Sequence, residues 1–290
     1  LYRETSDAGY AQGTYAVAYA YYYGIGTDSD YEEAEVYYQK AFDEGVKIAI
    51  IDLANLYHDW GMNSDAEKFI SQALIQPNRT SDVYQTDDPN DLYFNSLKRV
   101  MTIIYSSQDR QNEAIPILRE LVQEDEVLFG ELSEELANDL QNLAIAECAT
   151  GHAAAGLLNL TKSMKIYDQI FDMKGWHHAN ALGNFGYCYS TNHQIDKAIE
   201  YTKSAIDTFE ACCEESQIRR ALYIGNLAEY YQDRDDFKNA ASYFKDAYRI
   251  KIDLLGEDHT DLVDLGINFA LFEIANKNFA AALDLASRHF

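Results

Sequence analysis

The chain has 290 residues, 47% of them apolar, with three prolines and fifteen glycines. That length suits one large domain or two ordinary ones. The apolar share excludes wholesale disorder, and the scarcity of proline and glycine excludes a collagen-like or linker-like chain. With 23 Lys and Arg against 48 Asp and Glu the net charge is −25, which excludes non-specific nucleic-acid binding and docking on anionic lipid, since both need cationic surface.

Leu1-Tyr2-Arg3-Glu4 has none of the pattern of a signal peptide. The longest uncharged run, Gly9 to Thr27, holds four glycines and Gln12 and makes a poor membrane span. Cys148, Cys188, Cys212 and Cys213 show no CxxC spacing, so unpaired thiols in a reducing, cytoplasmic setting are expected.

Taken in order, residues 1–76 read as two helix pairs. Tyr15, Tyr19 and Tyr22 recur at i, i+4 and i+7 on one helical stripe. Two readings stand open: a core stripe whose hydroxyls reach the surface, the commoner role for such residues, or an aromatic platform for a ligand. Tyr21-Tyr22-Tyr23-Gly24-Ile25-Gly26 leads into a second helix carrying the small residues Ala34 and Ala41, and Ala66 and Ala73 repeat those positions in the next pair. His58 and Asp59 end a first helix there. Residues 77–90, with Pro77 and Pro89, read as a longer connecting loop inside one continuous array.

Residues 91–290 are expected to form five further pairs. Gln141-Asn142-Leu143-Ala144, Gly183-Asn184-Phe185-Gly186, Gly225-Asn226-Leu227-Ala228 and Ile267-Asn268-Phe269-Ala270 recur every 42 residues. Fourteen residues after each asparagine stands a small residue, Gly156, Ala198, Ala240 or Ala282, and Ala114 belongs to the same series. Seven further on come Leu121, Ser163, Ala205 and Ala247. Around Asn226, the residues Ile224, Leu227, Ala228 and Tyr231 make one amphipathic stripe and Phe237, Ala240, Tyr243, Phe244 and Ala247 a second, with a break at Asp233–Asp236. Pro116 is expected in the first turn of a second helix, where its missing N–H has no intrahelical partner to lose. The last pair stops at Phe290 without a polar capping helix, so continuation into further chain or self-association is expected there.

The 42-residue units with their Asn-Leu-Ala signature resemble tetratricopeptide repeats, most closely the kinesin-light-chain type. Leu255-Gly256-Glu257-Asp258-His259 is similar to that type's inter-repeat motif, with Thr260 where a proline is usual. The two N-terminal units resemble Sel1-like repeats. The resemblance implies an all-α, right-handed solenoid of about seven helix pairs. In such a stack, Asn142 lies ~200° around its helix from Ala144; if Ala144 packs on the partner helix, the asparagine faces the concave groove.

Asn142, Asn184, Asn226 and Asn268 would then line one wall, with Asn138 and Asn180 a turn before and Ile145, Tyr187, Glu229 and Leu271 a turn after. An amide both donates and accepts, so a ladder of them suits the backbone of an extended peptide. The other reading is that each amide only ties its unit to the next. Of the cationic residues a carboxylate clamp needs, Arg99 alone falls on the expected face, so neutral or basic, partly apolar segments are the expected partners.

Catalytic and metal patterns are thin. The side chains of adjacent His177 and His178 diverge by ~100° on a helix and do not readily share a metal. Gly24-Ile25-Gly26 lacks the preceding strand of a phosphate loop. The expectation is therefore a protein- or peptide-binding scaffold with no enzymatic activity, cofactor or metal. A peptide-sensing regulatory domain of a larger bacterial signalling or effector protein and a structural assembly scaffold are the alternatives.

Overall fold

The computed structural model describes residues 10–75, 89–171, 175–212, 217–257, 259 and 262–289. Fourteen helices and no strand occur among them, paired as an all-α repeat solenoid. They group into two compact units, Leu1–Leu128 and Phe129–Phe290. The first holds α1 (Ala11–Tyr23) with α2 (Tyr31–Asp43), α3 (Ala49–Asp59) with α4 (Asn63–Ile75), and α5 (Pro89–Ser107) with α6 (Gln111–Phe129). The second holds α7 (Glu134–Ala149) with α8 (Ala153–Ile170), α9 (Trp176–Thr191) with α10 (Ile195–Cys212), α11 (Gln217–Asp233) with α12 (Phe237–Leu255), and α13 (Val263–Ala275) with α14 (Phe279–His289). Most of the 77–90 connection lies outside the described residues, as do Asp258 and Thr260 of the motif after α12.

Local chemistry sets the helix ends. Asp30 caps α2, Ser133 caps α7 and Asp236 caps α12, each side chain accepting the backbone N–H three residues on. Six first helices end alike. Met62, Arg110, His152, Gln194, Asp236 and Asn278 donate their N–H to the carbonyl five residues back at 2.7–2.9 Å. The residue before each, Gly61, Asp109, Gly151, His193, Asp235 or Lys277, is left-handed. This is the Schellman closure of a helix end, and from Asp109 onward it recurs every 42 residues.

Packing follows the small-residue series. Ala34, Ala66, Ala114, Ala198 and Ala240 are wholly buried, as are Ala41, Leu121, Ser163, Ala205 and Ala247. Ser163 donates its hydroxyl to the Ala137 carbonyl at 2.7 Å, so its polar group is satisfied within the α7–α8 contact. Larger side chains fill the space between successive pairs: Phe209, Tyr223, Phe244 and Phe269 belong to one apolar cluster running from α9 to α14.

Two sequence expectations need correction. Pro116 stands sixth in α6, past the first turn, so the helix gives up one backbone bond there. Cys148 and Cys188 are not unpaired: they form a disulfide with Cα atoms 5.2 Å apart. They lie on α7 and α9, first helices of successive pairs, which the absence of a local CxxC motif conceals. Cys212 is disulfide-bonded as well, and Cys213 is outside the described residues. Cysteine usage therefore does not mark a reducing compartment. Among the described residues no helix is long and apolar enough to cross a membrane.

Candidate functional site

In the second unit the first helices α7, α9, α11 and α13 carry the asparagine series. Asn142 and Asn268 are exposed, Asn226 is half-buried and Asn184 is buried. Gln141, itself buried, accepts at Oε1 from Nδ2 of Asn184 at 2.6 Å and of Asn180 at 3.0 Å. The Oδ1 of Asn180 accepts in turn from the Tyr223 hydroxyl at 2.8 Å and from Arg219 Nη1 at 3.2 Å. A polar chain thus runs across α7, α9 and α11. At the far end Asn268 donates to Glu229 Oε1 at 2.7 Å, tying α13 to α11.

The flanking residues divide. Asn138 is exposed and accepts the Tyr167 hydroxyl of α8 at 2.5 Å. Ile145 and Tyr187 are half-buried, while Leu271 is largely exposed. Burial raises the Glu229 carboxyl above its ordinary range, with the Asn268 amide opposing the shift. In the first unit Arg99 is bound to both carboxylate oxygens of Asp125 on α6, at 2.7 and 2.8 Å, rather than displayed as a clamp residue.

Between α11 and α13 the face opens into a cavity of about 210 Å³, lined by Leu222, Gly225, Asn226, Glu229, Asp264 and Asn268, with Lys251 of α12 also at its wall. Two ladder asparagines and the predicted acid therefore share one opening, with Leu222 supplying apolar wall. Asn142 and Asn184 do not line it. Sequence reasoning missed Gln141, Arg219 and Tyr223, the links of the polar chain. Gly183 in mid-helix was the available signal: a Cβ there would collide with the Tyr223 ring, so the glycine marks where an aromatic side chain presses against the backbone. Among the described residues no three His, Cys, Asp or Glu side chains gather as a metal site.

Paired helices with small residues at their crossings, six of the first helices closed by the same turn, define an all-α helical repeat protein. Residues 220–261, which span α11 and α12, match the tetratricopeptide repeat family model. Among curated proteins no relative matches the sequence. Of solved structures, BtubC (BKLC) from P. vanneervenii is similar at 17% identity over 85% of this chain and 90% of its own, with a TM-score of 0.57. The apo form of RapI is similar at 9% identity over 95% and 94%, TM-score 0.68. A tetratricopeptide repeat protein from Parabacteroides merdae is similar at 11% identity over 96% and 94%, TM-score 0.61. At these identities the likeness is one of fold.

Proposed function

We propose that the protein is a non-enzymatic interaction scaffold that holds an extended peptide segment on the first-helix face of its C-terminal unit. The observation that carries this is the cavity between α11 and α13, where Asn226 and Asn268 stand beside Glu229, Asp264 and the apolar Leu222. Asn268 spends one amide hydrogen on Glu229; an amide has a second hydrogen and an oxygen with two lone pairs. Asn226 and Asn268 grip the segment's backbone, and Glu229 and Asp264, set against the single cation Lys251 of α12, favour neutral or basic side chains. Asn184 and Asn180, joined through Gln141, hold the layers in register beneath that function.

Peptides selected from a random library on the intact protein test this reading. The Asn226→Ala/Asn268→Ala double variant is expected to weaken their binding about tenfold or more, two to three hydrogen bonds at a net ~0.5–1.5 kcal/mol each. A folded double variant that binds the selected peptides unchanged overturns it.

A further inference from the structure

The first-helix face of the C-terminal unit changes character along its length. One and two turns before the asparagine series, α7 presents Asn138 and Glu134 and α13 presents Asp264, all of them exposed. At the same repeat positions α11 presents Leu222 and Ile218, 46% and 44% exposed, and α9 presents Trp176, 39% exposed. Trp176 and Ile218 stand one repeat of 42 residues apart, and Arg219 joins their helices. Its guanidinium lies over the Trp176 ring, 5.7 Å from the centroid, and its Nη1 donates to Asn180 Oδ1 at 3.2 Å. The start of α11 is thereby held against the tryptophan of α9. Leu222, at the other end of the row, also forms part of the wall of the cavity that contains Asn226 and Asn268. Apolar row and cavity are one continuous surface.

Single apolar side chains are ordinary on a protein surface, whereas a group of them rimmed by polar residues marks a contact. Asn180 and Asp264 rim this one. Tryptophan and arginine, both present here, carry more of the energy of such contacts than most residue types. The spacing identifies the occupant. Ile218, Leu222 and Asn226 follow one i, i+4 ridge of α11, each step about 6 Å along the axis at ~1.5 Å per residue. In an extended chain alternate side chains share a face and lie about 6.6 Å apart at ~3.3 Å per residue. Three alternate residues of an extended segment therefore meet Ile218, Leu222 and Asn226 in turn.

We propose that the Trp176–Ile218–Leu222 row is the second contact of the segment whose polar residue enters the α11–α13 cavity, an inference that rests on the reading of that cavity given above. The segment lays one apolar side chain on Trp176 and Ile218 and a second on Leu222, two residues along. A neutral polar or basic side chain, two residues further, reaches Asn226 and the cavity. The recognised pattern is apolar, any, apolar, any, neutral polar or basic, and the two intervening residues face solvent.

The test is selection of a random dodecapeptide library on the intact protein, followed by fluorescence titration with the selected peptides. The chain has two tryptophans, Trp60 and Trp176, so Trp60→Phe leaves Trp176 as the reporter. We expect the selected peptides to carry that alternation, binding to shift Trp176 emission to the blue, and Trp176→Ser/Ile218→Ser to bind at least tenfold more weakly. Replacing both apolar residues of a selected peptide by serine is expected to weaken its binding to the native protein and to change little in that double variant. Ile218→Ser alone, at an exposed side chain, is the variant to read if the double variant loses its helical circular dichroism. A selected set without the alternation, an unmoved Trp176 emission, or a folded Trp176→Ser/Ile218→Ser that binds unchanged overturns the inference; if Asn226→Ala/Asn268→Ala still weakens binding, the reading of the cavity stands. Loss in Trp176→Ser/Ile218→Ser with unchanged binding in Asn226→Ala/Asn268→Ala overturns the reading of the cavity, and with it the claim that one segment spans both.

Discussion

Tyr223 presses against the backbone of α9 at Gly183: a Cβ on that glycine would collide with three atoms of the tyrosine ring. The same ring stacks on Phe209 at 5.7 Å and sends its hydroxyl to Asn180. Burial also pushes that hydroxyl's pKa up to about 12. Gly183→Ala therefore forces the aromatic side chain out of a packed layer. We expect a loss of about 1–3 kcal/mol, the usual effect of overpacking, read as a lower urea midpoint. Gly183→Ala/Tyr223→Leu should recover part of it, because the obstructing ring is gone.

Gln141, rather than its neighbour in the ladder, is the stronger structural residue. Its Oε1 is the acceptor for both Asn180 and Asn184, whereas Asn142 is exposed. Gln141→Leu strands a buried amide hydrogen of Asn184 and is expected to cost about 1–3 kcal/mol. Asn142→Ala should stay within about 0.5 kcal/mol. Chemical denaturation of the two single variants measures the contrast, and equal effects would refute it.

Much of the fold was legible because helix pairs repeat a chemical pattern at a fixed interval. Ala34, Ala66, Ala114, Ala198 and Ala240 are small where helices cross, and all are buried as the series requires. The turn positions were legible only in part: the break at Asp233–Asp236 holds the left-handed Asp235, but the recurrence of that turn was not visible. Asp109, Gly151, His193, Asp235 and Lys277 share a left-handed backbone and a period but no residue type, so only Gly151 announces the conformation. The candidate site was legible only in part. Periodicity places asparagines on first helices but does not say which amides are consumed by neighbours, and that depends on Gln141 and Tyr223, one pair away in the stack.

His177 gives the stability a pH dependence. Its ring is buried, 3.8 Å from Trp176 and 4.4 Å from Phe171 between centroids. Burial lowers its pKa from 6.5, with Glu134 opposing the shift. The unfolded chain thus takes up a proton near pH 6.5 that the folded chain refuses. The unfolded state holds more protons there, and stability falls as pH drops through that value. The difference in thermal midpoint between the native protein and His177→Phe is expected to move in the variant's favour between pH 7.5 and 5.5; a constant difference would refute the assignment.

The Cys148–Cys188 bond closes a stretch of 40 residues. Its reduction, or the Cys148→Ser/Cys188→Ser variant, is expected to lower stability by about 2–4 kcal/mol, measured by unfolding with and without dithiothreitol. Gly156 packs beside the same cysteine: a Cβ there would meet Cys148 Sγ and come within 2.7 Å of the Ala144 carbonyl oxygen. Gly156→Ala should be harmful whether or not the thiols are oxidised, since the backbone oxygen remains.

That crosslink joins first helices of adjacent pairs, and it changes how the molecule yields to tension. A chain pulled from its two ends pays out helix after helix, but the segment between the bonded sulfurs is bypassed by the load. At ~3.5 Å per extended residue, the 40-residue separation hides about 140 Å of contour length from the force. Once the thiols are reduced, the same pull recovers that hidden length, so the extension at rupture reports the oxidation state of a single molecule.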